Sequence, residues 1–352
     1  MAPEIEQLQR SFLAHSHYLR AFAQLAGFGY WPAYDDQTLA ALASKVASAF
    51  PASASAPPAV DMSELAKCLN RAWGTELILN LGARFEEDEL VRLSNSWGSV
   101  QTYYVGYAAT QALIVAEGRA RPTEHSKTQG QVRALWVDRK SAVEPFSFAA
   151  MPGSKSNALA YANGPGRPVD TSLSTWTSVD TDNCWDIAAT ALRSTRNDAV
   201  EKRLKLEREK KALAAKKLWL SEEQARIAQG KKARKTPSFP TSANLTADER
   251  SGFESKMRPF TMLDYLYRLR IKANYEEAAM FTDGPDTDGA SAIVALDMIR
   301  IANANMIAHE VRIARELGKS TLMALAKDWV DSNAPPSRMG IGGRMAILDQ
   351  VL

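Results

Sequence analysis

The sequence predicts an all-α fold. Apolar residues recur at three- and four-residue steps along most of the 352 residues, and no segment alternates apolar and polar residues as a half-buried strand does. Residues 186–229 contain neither proline nor glycine and are rich in alanine, leucine, lysine, arginine and glutamate, which favours one long helix up to Gly230. We therefore expect little or no sheet.

The N-terminal part of the chain is predicted to form three helices. They cover about residues 4–26, 36–49 and 63–81, and glycine follows the first and third of them. The segment PASASAPPAV at residues 51–60 is rich in proline and small residues and is predicted to be a linker. We expect residues 1–82 to be a helical extension that precedes the main bundle.

The next segment is predicted to contain the longest apolar helix of the first half. Its apolar pattern covers residues 86–117 and ends at Gly118. Ser126 to Gln129 has the form of a capping box, so another helix is expected over residues 127–139.

An insertion with a basic arm is predicted in the middle of the chain. We expect an irregular insertion over residues 141–197, because residues 141–183 are rich in proline, glycine, serine, asparagine and threonine. Residues 198–236 would form a basic helical arm. Between Arg193 and Lys235 there are 15 basic and 6 acidic residues, although the whole chain has a net charge of only +3.

One face of this arm has half of a coiled-coil pattern. An aliphatic residue recurs every seventh position, at Leu206, Leu213, Leu220 and Ile227. Lysine and glutamate occupy the positions that would complete the apolar seam.

The C-terminal part of the chain is predicted to contain two more long helices. Thr246 is expected to cap a short helix, and longer helices are predicted over residues 260–281 and 288–317. The sequence MGIGGRM resembles no phosphate-binding loop, because no predicted strand precedes it. We expect residues 331–352 to be a mobile tail.

Composition limits the class of protein. The two cysteines, Cys68 and Cys184, are far apart, so we expect neither disulfides nor a thiolate metal site, and no cluster of His, Asp and Glu has metal-ligand spacing. The N-terminal residues carry acids and lack the apolar core of a signal peptide, and no uninterrupted apolar stretch has the length of a membrane span. We expect a soluble, cytoplasmic protein without a cofactor.

Three segments taken in order resemble the HEPN superfamily. Residues 99–118, SVQTYYVGYAATQALIVAEG, are similar to the Tyr-Tyr-Ala helix of one branch, and the following RPTEHSKTQ places His125 where that branch has a histidine. LRIKANYEEA at residues 269–278 is similar to a later family segment, with Arg270 in register and Asn274 in place of an acidic residue.

The resemblance implies an architecture. Residues 83–140 and 245–320 would form a HEPN-like four-helix up-and-down bundle, in which the basic arm is a long inserted helix. Family members commonly form homodimers, and the active ones are metal-independent ribonucleases or RNA-directed toxins. The resemblance thus implies an RNA-binding protein or endoribonuclease, such as a prokaryotic toxin or an antiviral defence effector.

The implied catalytic pair is an arginine followed by a histidine. The imidazole would move a proton near neutral pH while the guanidinium holds a phosphate. Arg119 with His125 has the required spacing, and His125 precedes a predicted helix start, where free N–H groups attract phosphate. Arg10 with His15 or His17 also has the spacing, although the predicted helix gives only Arg10 and His17 a shared face.

The basic arm is the second candidate site, since it could follow an RNA backbone. Its candidate RNA-binding residues are Lys202, Arg203, Lys210, Lys211, Lys216, Lys217, Trp219, Lys231, Lys232, Arg234 and Lys235. The alternative is a catalytically silent scaffold or adaptor that dimerises and binds a protein partner through the arm. It is favoured by the lack of a histidine at the start of the last predicted bundle helix, from Asp286 to Ile293, where the family's usual pair lies.

Overall fold

The structure is a computed structural model that describes most of the chain: residues 3–29, 35–52, 59–82, 87–139, 141–151, 158–161, 167–168, 178–285, 287, 289–336 and 340–352. The predicted all-α character is confirmed, because the described residues are mainly helical. Residues 53–58 of the predicted linker lie outside this part of the chain, as do 152–157, 162–166 and 169–177 of the predicted irregular insertion.

The first four helices begin and end close to the predicted residues. They are α1 (Pro3–Leu25), α2 (Asp36–Ala49), α3 (Met62–Gly82) and α4 (Asp88–Ala116). The first three do not form a separate extension, because their apolar faces belong to the same core as α4. The boundary predicted after residue 82 is therefore wrong. Burial of an amphipathic face, which supplies most of the stability of a helix in a protein, joins them to the bundle.

A small sheet accompanies the helices. Helix α5 (His125–Val132) continues as a π-helical turn over Arg133–Val137, and strand β1 (Phe148–Ala150) follows. The other strands are β2 (Ala158–Tyr161), β3 (Arg167–Pro168) and β4 (Phe260–Thr261), in the spatial order β3-β2-β1-β4. All pairs are antiparallel, with Ala149 opposite both Ala160 and Thr261. The sheet thus joins the inserted segment to the beginning of the next bundle helix.

Helix α6 (Cys184–Ala228) is one continuous helix of 45 residues. The predicted irregular insertion over residues 141–197 is therefore wrong in its last part, which is helical. Ile187 and Leu192 belong to the main core, whereas Leu206 and Leu213, further along α6, are about half exposed. The first turns of α6 thus anchor the arm in the bundle.

The predicted helix over residues 260–281 is interrupted. Thr246 forms the expected cap, a capping box with Glu249, at the start of α7 (Ala247–Ser255). After β4, helix α8 (Met262–Ile271) passes into a π-helical turn over Lys272–Glu276. The short helix α9 (Met280–Asp283) follows, so the apolar pattern spans two helices and a break.

Three helices end the chain: α10 (Ala290–Leu317), α11 (Lys319–Asn333) and α12 (Ile341–Val351). The predicted mobile tail over residues 331–352 is wrong, because α12 packs against the bundle and Arg344 is fully buried. Gly340 precedes α12 with a φ of 56°, and a Cβ at this position would lie 3.2 Å from Glu76 Oε2. A glycine therefore suits both the backbone and the close approach.

Helix α10 is the centre of the bundle. Helices α1, α2, α3, α4 and α11 all pack against it, and most of its residues are buried. Its length and composition would also suit a membrane span, but 78% of that apolar window is buried inside the protein, which is typical of a core helix. Closest to it is α4, where Gly98 faces Met298 and Gly106 faces Asn305. The missing side chains allow the two helices to approach each other.

A buried ion cluster joins α3, α10 and α12. The Arg344 guanidinium donates to Glu76 Oε1 at 2.5 Å and to Glu310 Oε1 at 2.7 Å, and all three residues are fully buried. Trp73 Nε1 also donates to Glu310 Oε1, at 2.8 Å. One arginine therefore compensates two carboxylates that are withdrawn from water.

We predict that Arg344→Met destabilises the protein by about 3–5 kcal/mol, because it leaves two buried carboxylates without their cation. Urea unfolding followed by circular dichroism measures the loss. Lys327→Met is the matched control, since it removes an exposed ion pair with Asp331 and should cost at most about 1 kcal/mol. Equal losses in the two variants would contradict the importance of the buried cluster.

Candidate functional site

His125 is the first residue of α5. Glu124 precedes it in an extended conformation and makes no side-chain cap, so the expected capping box of Ser126 with Gln129 is not formed. Instead, Gln129 Oε1 accepts a hydrogen bond from Arg258. The first N–H groups of α5 therefore have no side-chain cap, and they give this end of the helix a positive potential.

Four tyrosines surround the His125 ring. The Tyr103 hydroxyl lies 2.6 Å from His125 Nδ1, and the Tyr107 ring centroid is 4.6 Å from the imidazole centroid. Tyr267 and Tyr104 lie at 5.6 and 6.1 Å. We call these five residues the His125 cluster. Tyr103 and Tyr107 are buried, whereas the other three are half-buried, so the cluster has an inner wall and an open side.

The local sequence explains how the cluster is assembled. Tyr103, Tyr104 and Tyr107 share one side of α4 because residues three and four apart face the same way. Gln111, one turn further along α4, donates to the Tyr107 hydroxyl at 3.0 Å and to the Pro122 carbonyl at 2.7 Å. This amide therefore holds the α4–α5 connection against the tyrosines.

The imidazole of His125 is held in its neutral form. Burial lowers the pKa of His125, and the positive charge of Arg270 lowers it further. Burial also raises the pKa of the Tyr103 hydroxyl well above its usual range, so this group keeps its proton. In the tautomer with hydrogen on Nδ1, His125 donates to the Tyr103 oxygen and Nε2 keeps a free lone pair.

Arg270 is the cation of this site. Its guanidinium carbon lies 5.2 Å from the ring centroid of Tyr104, 5.5 Å from that of Tyr267 and 5.6 Å from that of Tyr103. No carboxylate among the described residues forms an ion pair with it. Aromatic faces attract a cation without neutralising it, so the guanidinium keeps its donors for an anion.

The structure places Arg119 elsewhere. Its guanidinium donates to Gln131 Oε1 and Glu117 Oε2, each at 2.5 Å, and its contacts do not include His125. Glu117 also pairs with the buried Arg312 and with Arg139, so Arg119 belongs to an ion network that extends from the surface into the bundle. The cation beside His125 is Arg270, which entered the sequence analysis only through its match to a family segment.

The other histidines are in different surroundings. His15 is buried beside the Tyr265 hydroxyl, and burial lowers its pKa to about 3. Arg10, which the sequence placed on one face with His17, is exposed and pairs with Glu6, while His17 is half-buried. His309 is buried within α10, where burial lowers its pKa to about 4. Beside His125, the Arg270 guanidinium lies next to the surrounding tyrosine rings without an ion pair among the described residues. Neither His15 nor His309 has an arginine in such a position.

The cations of the basic arm fall into two groups. Some are paired with carboxylates: Lys202 with Glu276, Arg203 and Lys210 with Glu207, Lys211 with Glu249, and Arg234 with Glu223. The others are exposed and make no ion pair within the described part of the chain: Lys216, Lys217, Lys231, Lys232 and Lys235. Among the candidate residues, the cations without an ion pair therefore lie on the outer half of the arm. Lys205 and Arg208, nearer the bundle, also make no ion pair within the described residues.

Trp219 is already in contact with side chains of the returning chain. The Phe239 ring centroid lies 5.6 Å from that of Trp219, and the Arg234 guanidinium lies 5.4 Å from the same ring. Trp219 therefore fastens the segment after α6 to the arm. Its expected stacking on a base stays a prediction.

Comparison with protein-family models, curated proteins and solved structures gives no match for this chain. The case for any function therefore depends on the residues of the site and on their geometry.

Proposed function

We propose that this protein is a HEPN-like RNA-binding protein that cleaves RNA without a metal ion, with His125 and Arg270 as its catalytic pair. The observation that carries the proposal is the position of an unneutralised guanidinium beside a neutral imidazole at an uncapped helix start. A phosphate can accept hydrogen bonds from both the guanidinium and the backbone N–H groups of the helix start. The neutral imidazole beside it can then act as a base.

The proposed reaction needs one base and one anion holder. His125 Nε2 takes the proton of a ribose 2′-hydroxyl while its oxygen attacks the adjacent phosphorus. The P–O bond to the 5′-oxygen of the next nucleotide breaks, this oxygen takes a proton from water, and the imidazolium of His125 returns its proton to the solvent. The products are a 2′,3′-cyclic phosphate and a 5′-hydroxyl. Arg270 holds the phosphate oxygens, on which negative charge increases during the attack.

His125→Ala should lower the cleavage rate of single-stranded RNA by about a hundredfold to ten-thousandfold, because it removes the base. Arg270→Met should lower it by about a hundredfold or more. Arg119→Met is the matched control for the second variant, and its rate should remain that of the wild type.

In the wild type, the rate should fall on acidification only below the ordinary histidine pKa of 6.5, since the neutral imidazole is the active form.

Gel-based cleavage of a labelled RNA in the presence of chelator measures all three variants. Loss of activity in Arg119→Met together with full activity in Arg270→Met would identify Arg119 and His125 as the catalytic pair, as the sequence spacing predicted. Full activity of His125→Ala would remove this cluster from the reaction.

We further propose that the outer arm adds non-specific affinity for RNA. The unpaired lysines can release counterions from an RNA backbone, whereas the paired ones must first give up a carboxylate. The pair Lys216 and Lys217 and the pair Lys210 and Lys211 lie on the same helix, but only the second pair has ion partners.

Changing Lys216 and Lys217 to Glu should weaken RNA binding and reduce the slope of log affinity against log salt by about 1.4, or about 0.7 for each lost contact with a single strand. The control variant, with Lys210 and Lys211 changed to Glu, should reduce the slope by less. Fluorescence anisotropy across a salt series gives both slopes. Equal slopes for the first variant and the wild type would assign the arm to a protein partner.

The second candidate function is a scaffold, and one surface favours it. Five large apolar side chains are exposed in the turns next to the α3–α4 connection: Ile78, Leu81, Leu90, Leu93 and Trp97. We call them the α3–α4 face. Trp97 alone is 66% exposed. From Leu93 to Ala116, α4 contains no charged residue.

We propose that a second copy of the chain covers this face, in line with the expected homodimer. The face exposes roughly 500 Å² of apolar surface, so two copies together reach the lower range of stable interfaces. This uncharged part of α4 carries Leu93 and Trp97, so two copies can meet at these residues without like-charge repulsion, whereas Asp88, Glu89 and Arg92 lie beside Leu90. A dimer of this kind is compatible with either an enzyme or a silent scaffold.

Trp97→Glu should convert a dimer into a monomer, because it would bury an unpaired charge in the interface. Light scattering during gel filtration measures the mass. Leu218→Glu on the arm, which is 62% exposed, is the control and should leave the mass unchanged. A wild-type protein that stays monomeric at high micromolar concentration would reject the dimer.

A further inference from the structure

A cavity of about 520 Å³ lies beside the His125 cluster. It is open to solvent on one side and is lined by α5, α6, the segment after α7, β4 and α8. Its lining includes Gln129, Asp198, Lys202, Arg258, Phe260 and Tyr267. This volume is within the range of small-molecule sites in proteins.

Two elements connect the cavity to the proposed catalytic pair. Tyr267 lines the cavity and also contacts the His125 ring. Gln129 follows His125 by four residues on α5, so the two side chains lie on one face of that helix, one turn apart. A ligand in the cavity would therefore contact Tyr267, whose ring also borders His125 and Arg270.

Gln129 presents an unused hydrogen-bond donor. Its side chain lines the cavity although only 6% of it is exposed. Its Oε1 accepts from Arg258 Nη2 at 3.0 Å, which fixes the orientation of the amide because arginine only donates. The Nε2 group is buried and has no hydrogen-bond partner. A buried donor of this kind costs free energy unless a ligand satisfies it.

The remaining walls suit a ligand that combines a flat ring with a negatively charged group. Met257, Phe260 and Tyr267 supply apolar and aromatic surface. The charged lining residues are four cations, Lys202, Lys256, Arg258 and Arg268, and two carboxylates, Asp198 and Asp264. Lys202, Arg258 and Arg268 pair with carboxylates, so the lining cation that makes no ion pair within the described residues is the exposed Lys256. Stacking on aromatic rings and attraction by cations are the two general means of binding a nucleotide.

We propose that this cavity binds one nucleotide and that Gln129 Nε2 donates to an acceptor on the edge of its base. The assignment of this nucleotide to an RNA chain rests on the function proposed above, in which the adjoining phosphate is the one that is cleaved. The chemistry of the cavity is the same for a free nucleotide. The site therefore selects a base, and the His125 cluster supplies the reaction.

Gln129→Met tests the donor, because methionine keeps the length of the side chain and removes its hydrogen-bonding groups. Gln131→Met is the matched control, since Gln131 lies on the same helix and contacts Arg119 instead of the cavity. The probes are the four 2′-O-methyl homopolymer hexanucleotides, which lack the attacking hydroxyl and cannot be cleaved. Fluorescence anisotropy measures their affinity.

The wild type and Gln131→Met should prefer one of the four bases by about tenfold or more. Gln129→Met should reduce this preference to within about threefold. An unchanged preference in Gln129→Met, or no preference in the wild type, would overturn the inference.

Ala199→Phe provides a second variant in case Gln129→Met does not fold, because Ala199 lines the cavity on α6 and a phenyl ring there would fill it. It should weaken binding of the preferred hexamer at least tenfold, and unchanged binding would also overturn the inference.

Titration calorimetry with AMP, GMP, CMP and UMP separates this inference from the proposed function. Binding of one monophosphate that is lost in Gln129→Met, by a protein that binds no RNA, would support the cavity as a site for a free nucleotide and reject the proposed ribonuclease. RNA cleavage that depends on His125, with no base preference and no binding of any monophosphate, would support the ribonuclease and reject the cavity.

Discussion

Helix α10 imposes the main constraint on the fold, because three of its buried charges, those of Asp297, Glu310 and Arg312, meet partners in other parts of the chain. Asp297 accepts from Arg20 of α1, Glu310 from Arg344 of α12, and Arg312 donates to Glu117 after α4. A charge in the interior without its partner would cost several kcal/mol. These pairs therefore fix the positions along α10 of helices from both ends of the chain. Apolar contacts alone would determine these positions less strictly.

The position of the candidate site follows from this arrangement. Gly98 and Gly106 allow α4 to lie close to α10, and the tyrosines between and beside them face α8 and α5. On the other side, β4 pairs with β1 and leads directly into α8, which carries Tyr267 and Arg270. The His125 cluster thus stands on elements that are fixed by core packing and strand pairing, as a preorganised site requires.

The sequence alone was sufficient for features that depend on neighbouring residues. Helix α2 was predicted with its observed bounds, and the Thr246 cap was identified, because helical periodicity and capping are local. Helix α12 was missed because glycines interrupt its pattern and its stability depends on Arg344, whose partners are Glu76 and Glu310 far away in the chain.

The same distinction applies to the candidate site. His125 and the three tyrosines of α4 belong to the segments that carry the family resemblance, and the structure brings them together. Tyr267 was not singled out, because it lies far away in the sequence. The cation of the site was misassigned because spacing favoured Arg119, while Arg270 reaches the cluster only after α8 packs on α4. The sequence cannot show that Gln129 Nε2 lacks a hydrogen-bond partner, because that depends on which groups surround it in the folded protein.

The continuity of α6 gives the proposed RNA path a length. Lys202 lines the cavity, and Lys217 lies fifteen residues further along the same helix, which corresponds to about 22 Å. A stacked strand, with a rise of about 3.4 Å per nucleotide, covers that distance in roughly six or seven nucleotides. Under the proposed function, a stacked oligonucleotide shorter than this would occupy the cavity or the outer arm but not both, so the continuous helix would set a minimum length for RNA that binds both.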